Sequence, residues 1–198
     1  MGKVLGLLAF TASLLTGVAA AQEADFSGVW RLNERLSQDA YGKIYLALGD
    51  HQMQGAGTGS NYNSVNRGAF LQDNDRVMLR RLLHDYVRVM DEIEIEQNQN
   101  ELKIWVGSGE EFFSIFYLDG EEHTRQSADG ERVQATAKWE ETGALRVHQV
   151  AEGGNVLEEI FSSMADGAQL AIVFHLTSKV ADGPVLFRVV YDRVEEKE

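Results

Sequence analysis

The sequence predicts a mainly β protein: an antiparallel up-and-down β-barrel, or a curled half-barrel, of about ten strands, with one amphipathic helix and a flexible Gly-rich loop. Three observations carry this. From Asp91 to Val194 short alternating apolar–polar segments follow one another, cut by Asp-Gly and Gly-rich turns. A lone strand, Phe26-Ser27-Gly28-Val29-Trp30-Arg31-Leu32, stands far ahead of them and carries a large aromatic with which to close a core. Hairpin-joined strands in such number leave sticky edges unless the sheet curls shut.

Taken in order, residues 1–21 have the pattern of a secretory signal peptide. Lys3 gives the positive start, Val4 to Leu15 a short apolar run, and Ala19-Ala20-Ala21 a small-residue site for cleavage near Ala21. Residues 22–198 then form a single domain. After the Trp30 strand, Asn33 to Leu48 mixes polar residues with Tyr41, Ile44, Tyr45, Leu46 and Leu48, which predicts a turn and one short helix. Residues 49–68 are rich in Gly, Asn, Ser and Gln and bury too little apolar surface to offset ordering, so a flexible loop is expected. Its Gly55-Ala56-Gly57-Thr58-Gly59 lacks the Gly-Lys-Ser/Thr ending of a phosphate loop.

Residues 74–90 predict the main helix, with Leu79, Leu82, Leu83, Tyr86, Val87 and Met90 on one face. Arg76, Arg80, Arg81 and Arg88 lie on the other face, a solvated face of a helix docked on a sheet rather than a membrane contact. Nine strands follow: 92–97, 102–106, 112–118, 122–126, 132–139, 145–150, 155–162, 169–177 and 185–193. Asp-Gly breaks at 119–120, 129–130, 166–167 and 182–183 are hairpin signals, because such turns need positive φ.

Charge and composition narrow the function. Eighteen Lys and Arg against 31 Asp and Glu give a formal charge of −13, which repels phosphate backbones and argues against a nucleic-acid partner. The 198 residues contain no cysteine, which removes disulfides, thiol catalysis and thiolate metal sites. An exported chain without cysteine suits a bacterial periplasm, or secretion. The histidines His51, His84, His123, His148 and His175 fall on different elements without metal-ligand spacing, and no Gly-x-Ser-x-Gly elbow occurs, so neither a metal nor another cofactor is expected.

Pairing arithmetic places the remaining candidates. A turn centred on Asp166-Gly167 sets Glu158 opposite His175, Ile160 opposite Val173 and Phe161 opposite Ile172. Of Glu158 and Glu159 one must face inward. An inward Glu158–His175 pair would anchor a ligand or move a proton; a surface pair, favoured by Leu157, Phe161, Ile172 and Phe174 on the other face, needs no function. The turns at Asp119-Gly120 and Asp129-Gly130 group Phe113, Ile115, Tyr117, Thr124, Val133, Ala135, Ala137 and Trp139 inside. Ala135 and Ala137 beside Tyr117 and Trp139 leave room for a ligand, or for other side chains. Phe112, Phe116 and Leu118 are then expected outside, covered by helix 74–90 or exposed to a partner. His123 and Arg125 are expected outside too.

The strand Gly28-Val29-Trp30, with Phe26 before it, resembles the opening strand of the lipocalin and fatty-acid-binding-protein superfamily, the calycins. The ending Val190-Tyr191-Asp192-Arg193-Val194 is similar to the last strand of intracellular fatty-acid-binding proteins. The resemblance implies a barrel with Trp30 at its closed end under an arginine of the last strand, Arg188 or Arg193. It implies a cavity for an apolar molecule near Tyr191 as well. Where those proteins carry a carboxylate-gripping Arg, two residues before the Tyr, this chain has Val189, and the adjacent Arg188 points to the other face. The expected function is non-catalytic binding of a small apolar or amphipathic ligand. The alternative is a filled barrel acting as an interaction module of the cell envelope.

Overall fold

A computed structural model describes residues 23–47, 89–107, 111–126, 132–178 and 183–195. The leader, loop 49–68 and helix 74–90 with its arginines lie outside the described residues, apart from Val89 and Met90 at the end of that helix range. Ten strands form one antiparallel sheet: β1 (Gly28–Leu32), β2 (Glu92–Gln97), β3 (Glu101–Val106), β4 (Glu111–Tyr117), β5 (Glu122–Gln126), β6 (Arg132–Trp139), β7 (Leu145–Ala151), β8 (Val156–Met164), β9 (Gln169–Thr177) and β10 (Val185–Arg193). Their order is β4-β3-β2-β1-β10-β9-β8-β7-β6-β5, a nearly closed barrel whose two unpaired edges are β4 and β5.

Alternation is what makes these segments strands. On β7 to β10 burial alternates, as in Leu157, Glu159 and Phe161 or Leu170, Ile172, Phe174 and Leu176, except that Ala171 and Val190, between inner positions, are buried as well. Phe161, Leu157, Leu170 and Phe187 are at most 1% exposed, and each such side chain contributes about 1.5–3 kcal/mol. The first and last strands join the sheet: Trp30 pairs with Arg193 and Leu32 with Tyr191. Beyond Leu32 the chain continues along β10, Ser37 Oγ accepting from the Val190 N–H and donating to its carbonyl. The short helix α1 (Ala40–Ala47) then packs on β10, with Ile44 fully buried. Among the described residues, no helix is long and apolar enough to cross a membrane.

The β8–β9 register matches the arithmetic, Glu158 opposite His175 and Phe161 opposite Ile172. The connection is a 3-10 turn over Ala165–Gly167, with Ala165, Asp166 and Gly167 at φ 50, 54 and 89. A longer loop on the same centre keeps the register.

Two expectations on the other side of the barrel are corrected. β4 and β5 do not pair, so the Asp119-Gly120 turn imposes no facing on β4. β4 takes its facing from β3, where buried Leu102 and Ile104 stand opposite Phe116 and Ser114. Phe116 is therefore inside, 3% exposed, and Ile115 and Tyr117 are turned away from the core; Phe113 falls at the β3–β4 bulge. Leu118 is half-buried against the core, and the Phe112 side chain lies outside the description. β5 sits one residue off the two-residue-turn register on β6, with His123 opposite Ala135 and Arg125 opposite Val133. That single step brings His123 and Arg125 to the inner side and turns Thr124 out.

Candidate functional site

Trp30 is the closure the sequence pointed to. It is 1% exposed, and its indole N–H donates to the Phe26 carbonyl at 2.8 Å. The guanidinium above it is that of Arg193, 4.2 Å from the ring centroid. Arg193 also donates to the carbonyls of Ser27 (2.7 Å) and Gly167 (2.9 Å), tying β1, β10 and the β8–β9 turn together. Arg188, the other candidate, is exposed on the outer side of β10 opposite Val173. A Cβ on Gly28, at φ 130, would lie 2.7 Å from Arg193 Nη1, so this position requires glycine.

Inside, a polar relay crosses four strands. Arg125 on β5 donates to Gln149 Oε1 on β7, and Gln149 Nε2 donates to Glu159 Oε2 on β8. The amide orientation follows from its neighbours, a pure donor on one side and an acceptor on the other. Ala135, opposite both His123 and Gln149, leaves the space through which Arg125 reaches over β6. Gln149 and Glu159 are 2% and 5% exposed. Burial pushes the Glu159 carboxyl up to about 7, against the lowering pull of the Arg125 charge and the Gln149 hydrogen bond. Ser114 Oγ on β4 is also buried, with no hydrogen-bond partner among the described residues.

Arg125 is at the same time a wall of a cavity of about 80 Å³ at the slit between β4 and β5. Ile115, Phe116, Tyr117, His123, Thr124, Ala135 and Ala137 complete it. The Tyr117 and His123 rings meet across the slit with centroids 4.3 Å apart, and His123 Nε2 lies 2.9 Å from Asp119. Arg125 also stands over the Phe116 ring at 5.9 Å.

The predicted residues divide accordingly. Ile115, Tyr117, Ala135 and Ala137 line this cavity. Trp139 is half-buried and stacks on Phe26, centroids 5.8 Å apart, and Phe113 packs against the core from outside the cavity. Tyr191 is 1% exposed with its hydroxyl bonded to the Met90 backbone, and burial raises it well above the ordinary tyrosine range. Glu158 and His175 do pair, 3.4 Å apart, but on the outer face. There Glu158 sits between His175 and His148 and also meets Arg146, which is held by Glu140 at 2.7 Å. Both histidines are over 40% exposed. Among the described residues no cluster is arranged to hold a metal ion. Arg125 and Gln149 were missed. Glu159 was half found, since one of two adjacent glutamates on a buried strand has to face in.

No family model and no curated protein matches the chain. Solved structures do. Apo lipid binding protein 8 (LBP-8) of Caenorhabditis elegans is 12% identical and superimposes with a TM-score of 0.52, over 89% of this chain and 100% of its own. The chain has the fold of a lipid-binding protein. Other similar structures include the REP1-NXSQ fatty acid transporter, 15% identical with a TM-score of 0.48 over 86% of this chain and 97% of that one. The Schistosoma mansoni fatty acid binding protein in complex with arachidonic acid is 14% identical, with a TM-score of 0.46 over 86% and 96%. At these identities the likeness is one of fold. In this barrel, Val189 is fully buried on the inner face opposite Ile172, so β10 offers an apolar surface where the resemblance implied a cation.

Proposed function

We propose that this protein is an exported, non-catalytic carrier of a small apolar or amphipathic molecule. The observation that carries the reading is the slit cavity: apolar walls of Ile115, Phe116, Ala135 and Ala137 beside the polar edge of Arg125, His123 and Thr124. Ligand sites combine an apolar lining with a few convergent polar groups in this way. The lipid-binding-protein fold supports it. Export rests on the leader pattern of residues 1–21 and on the absence of cysteine. The best acid–base pair, Glu158 with His175, lies on the outer face, which favours binding over turnover.

Native mass spectrometry of gently extracted protein tests the reading. A carrier retains an apolar adduct or takes one up after delipidation. A chain that does neither, at any ligand concentration, is not a carrier. Cell fractionation with amino-terminal sequencing tests export; the mature chain should begin near Gln22 in the periplasmic or secreted fraction. The filled-barrel reading is favoured by the cavity's modest size, about 80 Å³, against the roughly 300 Å³ or more of ordinary ligand sites. Its expected apolar patch is weakened, because Phe116 is buried.

A further inference from the structure

Of the two ring nitrogens of His123, one is held and one is free. Nε2 lies 3.0 and 2.9 Å from the two carboxylate oxygens of Asp119, while Nδ1 has no hydrogen-bond partner among the described residues. Asp119 is itself fixed, its Oδ1 accepting from the Glu121 backbone N–H at 2.9 Å. That bond, and then the one to His123, keep the Asp119 carboxyl below the usual carboxylate range. An ionised carboxylate can only accept, so the shared proton belongs to Nε2. In the neutral imidazole Nδ1 is then an acceptor. The Tyr117 ring covers one side of the imidazole, centroids 4.3 Å apart, and Ala135, opposite His123 on β6, brings no polar side-chain atom. Both members of the Asp119–His123 pair are partly exposed, so their contact adds little stability. What it fixes is a tautomer, at a residue that lines the cavity.

We propose that Asp119 sets the Nε2–H tautomer of His123, and that Nδ1 is thereby the acceptor with which the slit cavity recognises its ligand: a neutral apolar molecule ending in a hydrogen-bond donor, such as an alcohol. This rests on the carrier reading and names its ligand class. His123 is the contact and Asp119 a positioning residue. A carboxylate that orients an imidazole through one nitrogen serves proton transfer in hydrolases; here the same orientation serves recognition. A ligand of equal shape without a donor leaves Nδ1 unpaired once water is displaced, and that penalty is what discriminates. The cavity of about 80 Å³ takes the functional group and the first carbons of a chain, so short molecules suffice as probes.

The test is NMR of the isotope-labelled mature protein at pH 8. Ring-nitrogen chemical shifts should report His123 as the neutral Nε2–H tautomer; an Nδ1–H ring, an even mixture or an imidazolium overturns the proposal. Titrations followed by the backbone amides of β5 and β6 then compare 1-hexanol with 1-fluorohexane, which has its shape but no donor, and with 2-hexanone, which only accepts. 1-Hexanol should bind about fivefold more tightly than either, the size of one neutral hydrogen bond. His123→Phe keeps a ring against Tyr117 and should remove the alcohol's advantage. Asp119→Asn is the sharper variant. Its side-chain carbonyl keeps the Glu121 N–H, so its NH₂ turns to Nε2 and the imidazole proton moves to Nδ1. The ring-nitrogen shifts should show that exchange, and 2-hexanone should gain about fivefold, to the level of 1-hexanol. A merely structural role for Asp119 would weaken all three ligands instead. Equal binding of the three by wild type, or a 2-hexanone affinity that gains nothing in Asp119→Asn, overturns this proposal and leaves the carrier reading standing. If none of the three binds, both fall.

Discussion

Glu159 couples the protein's stability to pH in a direction opposite to that of an ordinary surface carboxylate. Burial raises its carboxyl in the folded state to about 7, above the ordinary glutamate range, so the folded protein holds the proton more tightly than the unfolded chain. The stabilisation is complete below about pH 4.5, is lost as pH rises toward 7, and is constant above; the difference is about 3 kcal/mol. Urea unfolding of wild type and Glu159→Gln at pH 5 and 7.5 checks this. Wild type should lose stability between the two values relative to the variant, and parallel curves would refute it. Arg193 offers a second residue-scale expectation. Arg193→Ala removes the cation over Trp30 and two hydrogen bonds to carbonyls, and should cost about 2 kcal/mol in the same assay. Trp30 was legible and Glu159 half legible because each depends on one strand alone: Gly28-x-Trp30 is a local pattern, and of two adjacent glutamates one must face in, without the sequence saying which. Arg125 was not, because its facing depends on a register step at a turn that sequence arithmetic set one residue wrong.

Among the elements, the register of β8 on β9 was readable to the residue, while the facing of β4 and β5 was not. A hairpin turn fixes pairing only if the strands on either side of it are neighbours in the sheet. Asp166-Gly167 joins neighbours; Asp119-Gly120 joins the two edges of the slit. The facing of β4 was available from β3 instead, whose Leu102 and Ile104 select Phe116 as their inner partner on that strand. Phe116→Ala should therefore cost about 3–5 kcal/mol and Tyr117→Ala, at a 41% exposed residue, less than about 1. The reverse order in chemical denaturation would restore the facing expected from the turn. Hydrogen exchange provides a further check. Amides of β4 and β5 directed into the slit have no ladder partner across it, and should exchange faster than those of β8 and β9. Equal protection on all four strands would mean the slit is closed in solution.

For the molecule as a whole, the ten strands and their barrel were legible because alternation and turn residues repeat along the chain. What escaped is the gap in the wall, since nothing local marks the place where two consecutive strands fail to pair. The gap is also where the cavity lies, so the least readable part of the fold is the part that bears on ligand access.

The seam between β1 and β10 has a consequence for when the barrel can exist at all. Ser27 and Arg193, bonded through a carbonyl, are 166 positions apart, and every other strand lies between them. A chain emerging from the ribosome cannot seal this seam until its last strand has been made, however long its beginning has waited. A version ending at Val189 should accordingly show no cooperative thermal transition, having lost Tyr191 and Arg193 together.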